Sequence, residues 1–354
     1  MERLNQQSPL KRFLGMRGMG AALTAFGGFI VIYLAFGFIN MKVFSLDNVL
    51  NLLRSMSKYL LIGIGQSYVL ITGNIDLSIG SVVGMSAMIS ATLMAAGVPV
   101  LPAILITLVC CLAVGVVNGI LVGKFQLPPF IATLGTMFVA RGVAYMVNGN
   151  RNTNAISSGI GKEAGDAFQS FFYYGTTAFL YNTFWIALAL FVVFFFLLSK
   201  TRTGRHIYAA GSNMDAAKLS GVNVVSTVTK TYLVSAFCSS VVGLILCAQA
   251  GMGNMEAGNM YEMYGVAAGV IGGVSPLGGT GLLLGTLAGA AVWQTLENGL
   301  SMISAPVGIQ RIVIGVIVVF AVLLDVVVRK GSFTKRISSV KHIGTDAAAA
   351  TEPK

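Results

Sequence analysis

This sequence contains unusually few charged residues. Only 10% of its 354 residues are Asp, Glu, Lys or Arg, whereas soluble domains carry about 25%. The chain also has only two histidines and four cysteines, and all four cysteines lie inside apolar runs. Neither a disulfide framework nor a set of metal-ligating or catalytic side chains is visible. We therefore expect neither a soluble domain, nor an enzyme, nor a cofactor bound by this chain.

What the chain has instead is long apolar runs. Hydrophobic residues make up 55% of it, 43 residues are glycine and the mean hydropathy is +0.81, which is typical of an integral membrane protein. A membrane-spanning helix needs about 20 mainly apolar residues. The runs predict an all-α polytopic membrane protein of about ten spans, forming one transmembrane domain over residues 1–354. We place the spans at residues 20–39, 59–72 (extended by an amphipathic segment, 41–58), 80–96, 101–123, 130–147, 184–199, 231–250, 266–274, 281–300 and 312–328.

The formal net charge of +11 has a topological explanation. Sixteen of the 23 Lys and Arg residues fall in segments that ten spans would leave on one side of the membrane. Positive loops stay in the cytoplasm, so both termini are predicted to be cytoplasmic, with contacts to anionic lipid rather than to nucleic acid. This gives an inner tail (residues 1–18), spans one to six (20–199), an inner loop (200–230), spans seven to ten (231–328) and a second inner tail (329–354).

Residues 200–230, called the central loop below, form the longest basic interruption between two spans. Asn213 or Asp215 can cap a short helix over Ala216–Leu219, and Gly221 can end it. A short capped helix facing the cytoplasm suits docking of a soluble partner. A positive loop that only fixes the topology is the alternative.

Two glycine-interrupted segments follow one pattern. The first interrupted segment (residues 71–81) and the second interrupted segment (residues 271–281) each begin Ile-x-Gly, have Leu in seventh place and lead into an apolar helix. Later in each half stands an Asn-Gly pair, at residues 118–119 and 298–299. The pattern predicts two internally related halves and indicates a transport pathway where they meet. Tight packing of glycine-rich turns explains it equally well.

Several polar side chains are candidates for that pathway. Asp76 can gate it, or can cap a helix starting near Leu77 or Ser78. Arg141 and Glu297 are ionisable residues inside or near spans, where such residues usually pair with another group or line a polar cavity. Arg141 can instead extend its side chain to the nearer membrane interface. Other candidates sit in the interrupted segments or at i, i+3 and i+6 of the fifth span, where tight helix packing is the alternative: Asn74, Ser78, Ser275, Phe130, Thr133 and Thr136.

Several blocks together resemble one family. They run in order along nearly the whole chain: Thr72-Gly-Asn-Ile-Asp-Leu-Ser-Ile-Gly-Ser81, Pro129-Phe-Ile-Ala-Thr-Leu-Gly-Thr-Met137, Thr201-Arg-Thr-Gly-Arg205, Tyr208-Ala-Ala-Gly-Ser-Asn213, Ala216-Ala-Lys-Leu-Ser-Gly-Val222 and Gly278-Gly-Thr-Gly281. The sequence resembles the transmembrane permease of ribose-type ABC sugar importers, in the branched-chain amino acid/ribose permease family. Asn74 stands where many relatives have Gly, and Tyr264 replaces an acid, so the resemblance does not carry the identity of the sugar. Ribose, another pentose, a hexose, inositol and autoinducer-2 all fit.

The resemblance implies a set of partners in the bacterial inner (plasma) membrane. Such permeases pair with a second copy or a homologous permease, bind two ATPase subunits or one tandem ATPase, and receive a monosaccharide from a periplasmic or lipid-anchored binding protein. ATP and Mg²⁺ would belong to the ATPase, since this sequence has no Gly-x-x-x-x-Gly-Lys-Ser/Thr loop. The central loop would couple to the ATPase through Arg202, Arg205, Asn213, Asp215, Ala216, Ala217, Ser220 and Gly221.

Two other kinds of transport protein compete with this interpretation. An ion- or proton-coupled secondary transporter also uses interrupted helices, and Asp76 and Glu297 would then be its ionisable residues. A channel also suits glycine-rich interruptions, but it has no role for the 31-residue central loop.

Overall fold

A computed structural model describes residues 18–317 together with 319 and 323. The expectations for residues 1–17, for the end of the tenth span and for the tail 329–354 lie outside the described residues. The chain divides after Ala305 into two compact units. Each unit is described by itself.

The first unit is made almost wholly of helices. In chain order they are α1 (Met19–Ile39), α2 (Leu46–Ile71), α3 (Ile79–Ala95), α4 (Val100–Gly123), α5 (Pro129–Met146), the short α6 (Ser157–Ile160) and α7 (Lys162–Gln169), α8 (Asn182–Lys200), α9 (Arg202–Ser212), α10 (Met214–Leu219), α11 (Val224–Ala250), α12 (Tyr261–Ile271) and α13 (Leu283–Met302). A single turn of 3₁₀ helix, Met41–Phe44, connects α1 to α2.

Five of the described helices are long and apolar enough to cross a membrane by length and composition: α1, α4, α5, α8 and α11. Each expected span overlaps a described helix, but several of the bounds differ. The amphipathic segment and the second span form one helix, α2, which begins after the cap Ser45 and runs for 26 residues. The seventh span was placed too late, because α11 begins at Val224. The eighth expected span corresponds to α12, which is only 11 residues long and ends at Ile271.

Helix α2 is the buried axis of this unit. Every residue from Met56 to Ile71 is buried, because α11, α12 and α13 all pack around it. Small residues permit close approach elsewhere: a Cβ placed on Gly119 of α4 would lie 2.5 Å from the Cα of Thr229 in α11. Such small-residue contacts let helices associate in lipid, where no hydrophobic force drives them together.

The chain between α11 and α12 (residues 251–260) is not helical and lies against α3. Its carbonyl oxygens would be costly in hydrocarbon without partners. Arg141 of α5 supplies one: its Nη1 donates to the carbonyl oxygens of Met255 (3.2 Å) and Ala257 (2.9 Å). Of the alternatives for Arg141, the structure therefore shows pairing, with the carbonyl oxygens of two half-buried residues.

The segment expected as one long polar loop, residues 148–182, is instead structured. It contains α6, α7, a π-helical turn (Ser170–Tyr174) and a two-stranded antiparallel hairpin, β1 (Thr176–Thr177) and β2 (Leu180–Tyr181). Arg54 of α2 holds it in place. Its guanidinium lies 4.4 Å from the ring centre of Tyr173 and 4.0 Å from that of Tyr181, a double cation–π contact.

The second unit contains one described helix, α14 (Val307–Ile317). The tenth span was predicted to start at residue 312, so this helix begins five residues earlier than expected. Its apolar side chains, such as Val307 and Ile312, are exposed.

Candidate functional site

The central loop folds into two helices. The predicted short helix is confirmed as α10, and of the two candidate caps it is Asn213 that caps it, since the backbone N–H of Ala216 donates to Asn213 Oδ1 at 2.9 Å. Gly221 follows with φ +82°, a conformation that favours glycine. Helix α9 was missed. Its signal is the spacing of Gly204, Ile207 and Ala210, which are buried at every third position.

Seven of the eight residues expected to couple to an ATPase are exposed: Arg202, Arg205, Asn213, Asp215, Ala216, Ser220 and Gly221. Ala217 is only 5% exposed, so it packs inside the loop instead of facing outward. The loop also exposes a large apolar residue that the sequence analysis did not single out. Leu219 of α10 is 90% exposed.

Helix α9 touches both interrupted segments. A Cβ on Gly211 would collide with the carbonyl oxygen of Ile71 and lie 2.8 Å from the backbone nitrogen of Gly279. Those two segments are themselves joined, because the N–H of Gly279 donates to the carbonyl oxygen of Ile71 at 2.9 Å. The central loop and the two interrupted segments therefore meet at one end of the bundle.

Tyr208 makes the second link from α9. Its hydroxyl donates to the carbonyl oxygen of Gly281 at 2.7 Å. Burial raises the pKa of Tyr208 to about 12, so the hydroxyl stays protonated and remains a donor at neutral pH. Sequence reasoning quoted Tyr208 only as part of a motif and gave it no role.

A chain of hydrogen bonds starts from the first interrupted segment. Asp76 is 2% exposed, and its Oδ1 accepts from both the backbone N–H (2.9 Å) and the hydroxyl (2.6 Å) of Ser78. Ser78 Oγ accepts from Asn118 Nδ2 at 2.9 Å, and Asn118 Oδ1 accepts from Thr136 Oγ1 at 2.6 Å. On the other side, Ser235 Oγ donates to Asp76 Oδ2 at 2.7 Å.

This chain, called the Asp76 network below, connects the first interrupted segment to α4, α5 and α11. Helix α3 begins at Ile79, and Ser78 just before it already has helical dihedrals and makes no side-chain cap bond of its own. Asp76 Oδ1 accepts from the backbone N–H of Ser78, in agreement with the expectation that Asp76 caps the start of this helix. The sequence analysis did not name Asn118 or Ser235 as candidate site residues. The feature that could have indicated them is a polar residue within an otherwise apolar helix.

The other candidate pathway residues do not share one surface. Asn74 is buried and donates to Thr72 Oγ1 at 2.8 Å, and Ser275 Oγ accepts from the N–H of Leu277 at 3.3 Å. Thr133 is fully buried, whereas Phe130, three residues earlier, is 56% exposed.

Glu297 lies far from the interrupted segments. It is 14 residues beyond the start of α13, or about 21 Å along the helix. There it accepts a hydrogen bond from the hydroxyl of Tyr59 at 2.6 Å. The structure therefore brings Asp76, Ser78 and Thr136 together and leaves Glu297 in a separate, aromatic environment.

Comparison with known proteins gives a consistent result. The family model described as "Branched-chain amino acid transport system / permease component" matches residues 48–322. The ribose import permease protein RbsC of Haemophilus influenzae is 34% identical over 85% of this chain and 92% of its own length. That of Bacillus subtilis is 35% identical over 87% and 94%. The galactose/methyl galactoside import permease protein MglC of Salmonella typhimurium is 34% identical over 79% and 87%. No solved structure matches the chain.

Proposed function

This chain belongs to the permease family of ribose-type ABC importers, and we propose that it carries a monosaccharide into the cytoplasm, driven by ATP hydrolysis on a partner subunit. The family assignment makes it a multi-pass protein of the bacterial inner membrane and a transporter subunit rather than an enzyme. The observation that carries the ATP-driven part of the proposal is the contact of the central loop with both interrupted segments.

The outward side of that contact suits a soluble protein. Leu219 is 90% exposed, and Leu277 of the second interrupted segment is 89% exposed. Large apolar side chains on a polar, water-facing loop are typical of a protein interface. Arg202 and Arg205 add exposed positive charge to the central loop. We assign this surface to the ATPase, which would also hold ATP and Mg²⁺.

The inward side explains how the partner's movement would reach the pathway. Because a Cβ on Gly211 would collide with Ile71, α9 and the end of α2 are in direct backbone contact. Tyr208 ties α9 to the second interrupted segment. A displacement of α9 would therefore shift both interrupted segments together, and the Asp76 network would transmit it to α4, α5 and α11.

Two further partners complete the proposal. A periplasmic or lipid-anchored binding protein would deliver the sugar to the end of the bundle opposite the central loop. A second permease, identical or homologous, would complete the pathway. Relatives whose names specify ribose and galactose are about equally similar to this chain, so we propose a pentose or hexose without choosing between them.

The test is complex formation and ATPase stimulation. The chain would be co-purified in nanodiscs with its candidate ATPase, and hydrolysis measured as sugar-loaded binding protein is added. We expect Leu219→Glu and Arg205→Glu to abolish complex formation, whereas Lys162→Glu, which changes charge on an exposed lysine of α7, leaves it intact. Sugar uptake that needs no ATPase and collapses with the proton or sodium gradient would overturn the proposal in favour of a secondary transporter.

A further inference from the structure

The chain between α11 and α12 (residues 251–260) turns back into the bundle along α3. A Cβ on Gly253 would lie 2.9 Å from that of Ala91, near the end of α3, whereas one on Gly258 would collide with the carbonyl oxygen of Gly80, near its start. The helix between Ala91 and Gly80 is about 17 Å long. Helix α11 has 27 residues, enough to cross a hydrocarbon core of about 30 Å. Helix α12 therefore begins well inside the membrane, close to its midplane.

Polar and flexible side chains are exposed at this depth. Asn259 is exposed and Glu262 is half-buried, while Met260 and Met263 are 43% and 49% exposed. These four residues are called the midplane surface below. Ionisable and polar groups at the depth of the hydrocarbon face protein or a water-filled cavity, not lipid. Since one protomer leaves the midplane surface open, the second permease or an aqueous pathway must cover it.

The carboxylate of Glu262 lies directly over the start of α3. A Cβ on Gly80 would collide with Glu262 Oε2. Arg141 is close enough to interact with the carboxylate electrostatically, and it also donates to the carbonyl oxygens of Met255 and Ala257. A cation already nearby disfavours a proton or a sodium ion at the same carboxylate. The carboxylate can still accept hydrogen bonds from neutral hydroxyl groups.

Resting on the proposed function, we propose that the midplane surface binds the sugar at the interface between this chain and the second permease. Sugar hydroxyls would donate to the carboxylate of Glu262 and bond to the amide of Asn259. The flexible side chains of Met260 and Met263 would pack against the apolar C–H faces of the sugar ring. A dry contact between the two permeases would have to bury the Glu262 carboxylate, at a cost that a hydrated pathway avoids.

The position of Glu262 also connects the sugar to the coupling machinery. Gly80, which the carboxylate covers, belongs to the first interrupted segment. The same segment begins at Ile71, where Gly211 of α9 meets it. A displacement of α9 would therefore reach the sugar through the backbone of one short segment.

Cysteine labelling tests whether water reaches the midplane surface. A charged methanethiosulfonate reacts with a thiolate, which requires water, so we expect it to label Met263→Cys in nanodiscs that hold the complex with the ATPase. Val193→Cys is the matched control, because Val193 is 51% exposed and lies about 17 Å into the apolar helix α8. It should stay unlabelled. Native protein provides the background, since three of its cysteines are buried and Cys110 is half-buried.

Sugar should protect the introduced cysteine. We expect millimolar D-ribose, D-galactose or D-allose to slow the labelling of Met263→Cys at least twofold, and betaine of equal osmolality to leave it unchanged. Adding Glu262→Gln, which keeps the shape of the side chain and removes its charge, should raise the sugar concentration for half-protection at least threefold. Glu163→Gln, on an exposed position of α7, should leave that concentration unchanged.

Three results would overturn this site. An unlabelled Met263→Cys would mean that lipid or a dry contact covers the midplane surface. Labelling that no sugar slows would mean that water is present without a sugar site, and protection that Glu262→Gln leaves unchanged would exclude the carboxylate as a ligand. All three leave the importer proposal standing, since ATPase stimulation is measured separately at the central loop.

Discussion

Gly211 has almost no room for a side chain. Its Cα faces the carbonyl oxygen of Ile71 at the end of α2 and the backbone of Gly279. Unlike a contact between flexible side chains, a backbone contact cannot yield by a change of rotamer. At the scale of single residues, we therefore expect Gly211 to be the point at which a movement of the central loop displaces the transmembrane bundle.

Gly211→Ala should uncouple the transporter. The added methyl group would push α9 away from Ile71, so we expect the complex with the ATPase to form while sugar-stimulated hydrolysis and uptake fall at least tenfold. Gly142→Ala in α5 is the control, because a Cβ there meets no atom within 4 Å. Unchanged stimulation in Gly211→Ala would show that this contact does not transmit movement.

Asp76 distinguishes an ATP-driven importer from a proton-coupled transporter. In the Asp76 network the carboxylate accepts three hydrogen bonds. Asp76→Asn keeps the acceptor for Ser78, and Ser235 can rotate its hydroxyl to accept instead of donate. We expect Asn to retain most uptake and Ala to lose it, since Ala leaves the Ser78 amide and two hydroxyls unpaired at about 1–3 kcal/mol each.

Uptake assays in cells, with protein levels checked by blotting, would measure both Asp76 variants. Complete loss of uptake in Asp76→Asn, at normal protein levels, would contradict this expectation. Such a loss would point to a residue that must carry a proton.

At the scale of elements, the sequence predicted the apolar helices well and their ends less well. The run of residues 101–123 is apolar throughout, and α4 begins one residue earlier, at Val100. The eighth span was harder to place, because α12 stops after 11 residues and its neighbours 251–260 are held by Arg141, a contact over 114 positions in sequence. The sequence analysis missed helix α9 because only Gly204, Ile207 and Ala210 form its buried side, and most of its other residues are polar.

The candidate site was predictable only in part. The cap at Asn213 follows from local chemistry and was found. The Asp76 network joins residues 159 positions apart in sequence, Asp76 and Ser235, and no local pattern records such a pairing. The burial of Ala217 likewise depends on how α10 packs in three dimensions.

The short helix α10 should depend on its cap more than a long helix does. Asn213→Ala removes the acceptor for the Ala216 amide, a loss of about 1 kcal/mol, from a helix of six residues. We expect weaker co-purification of the ATPase. Asn223→Ala is the matched control: Asn223 caps α11 in the same way, accepting from the Ser226 N–H at 2.9 Å, but α11 has 27 residues. Equal effects of the two substitutions would contradict a role of α10 in docking.

At the scale of the whole molecule, the decisive property is which end faces the cytoplasm. The excess of basic residues predicts that the central loop is inside and the β1–β2 hairpin outside. Two highly exposed side chains report on these ends, Leu219 in α10 at 90% and Phe179 in the hairpin at 92%. The native cysteines are poor competitors for labelling, since three are buried and Cys110 is half-buried.

A membrane-impermeant maleimide should therefore label Phe179→Cys in intact spheroplasts and Leu219→Cys only after lysis. The reverse pattern would place the central loop outside the cell, where an ATPase cannot reach it, and would refute the importer topology. Native protein without either substitution provides the background.

The guanidinium of Arg141 also bears on how the chain enters the membrane during synthesis. Residues 251–260 are not helical, and the carbonyl oxygens of Met255 and Ala257 are bound by a side chain that is translated more than a hundred residues earlier. A stretch of this kind cannot partition into lipid unaided. We therefore expect residues 251–260 to reach their final position only once α5 is in place, because Arg141 supplies the partner of two of their carbonyl oxygens. Separately expressed halves should assemble only when the N-terminal half is made first.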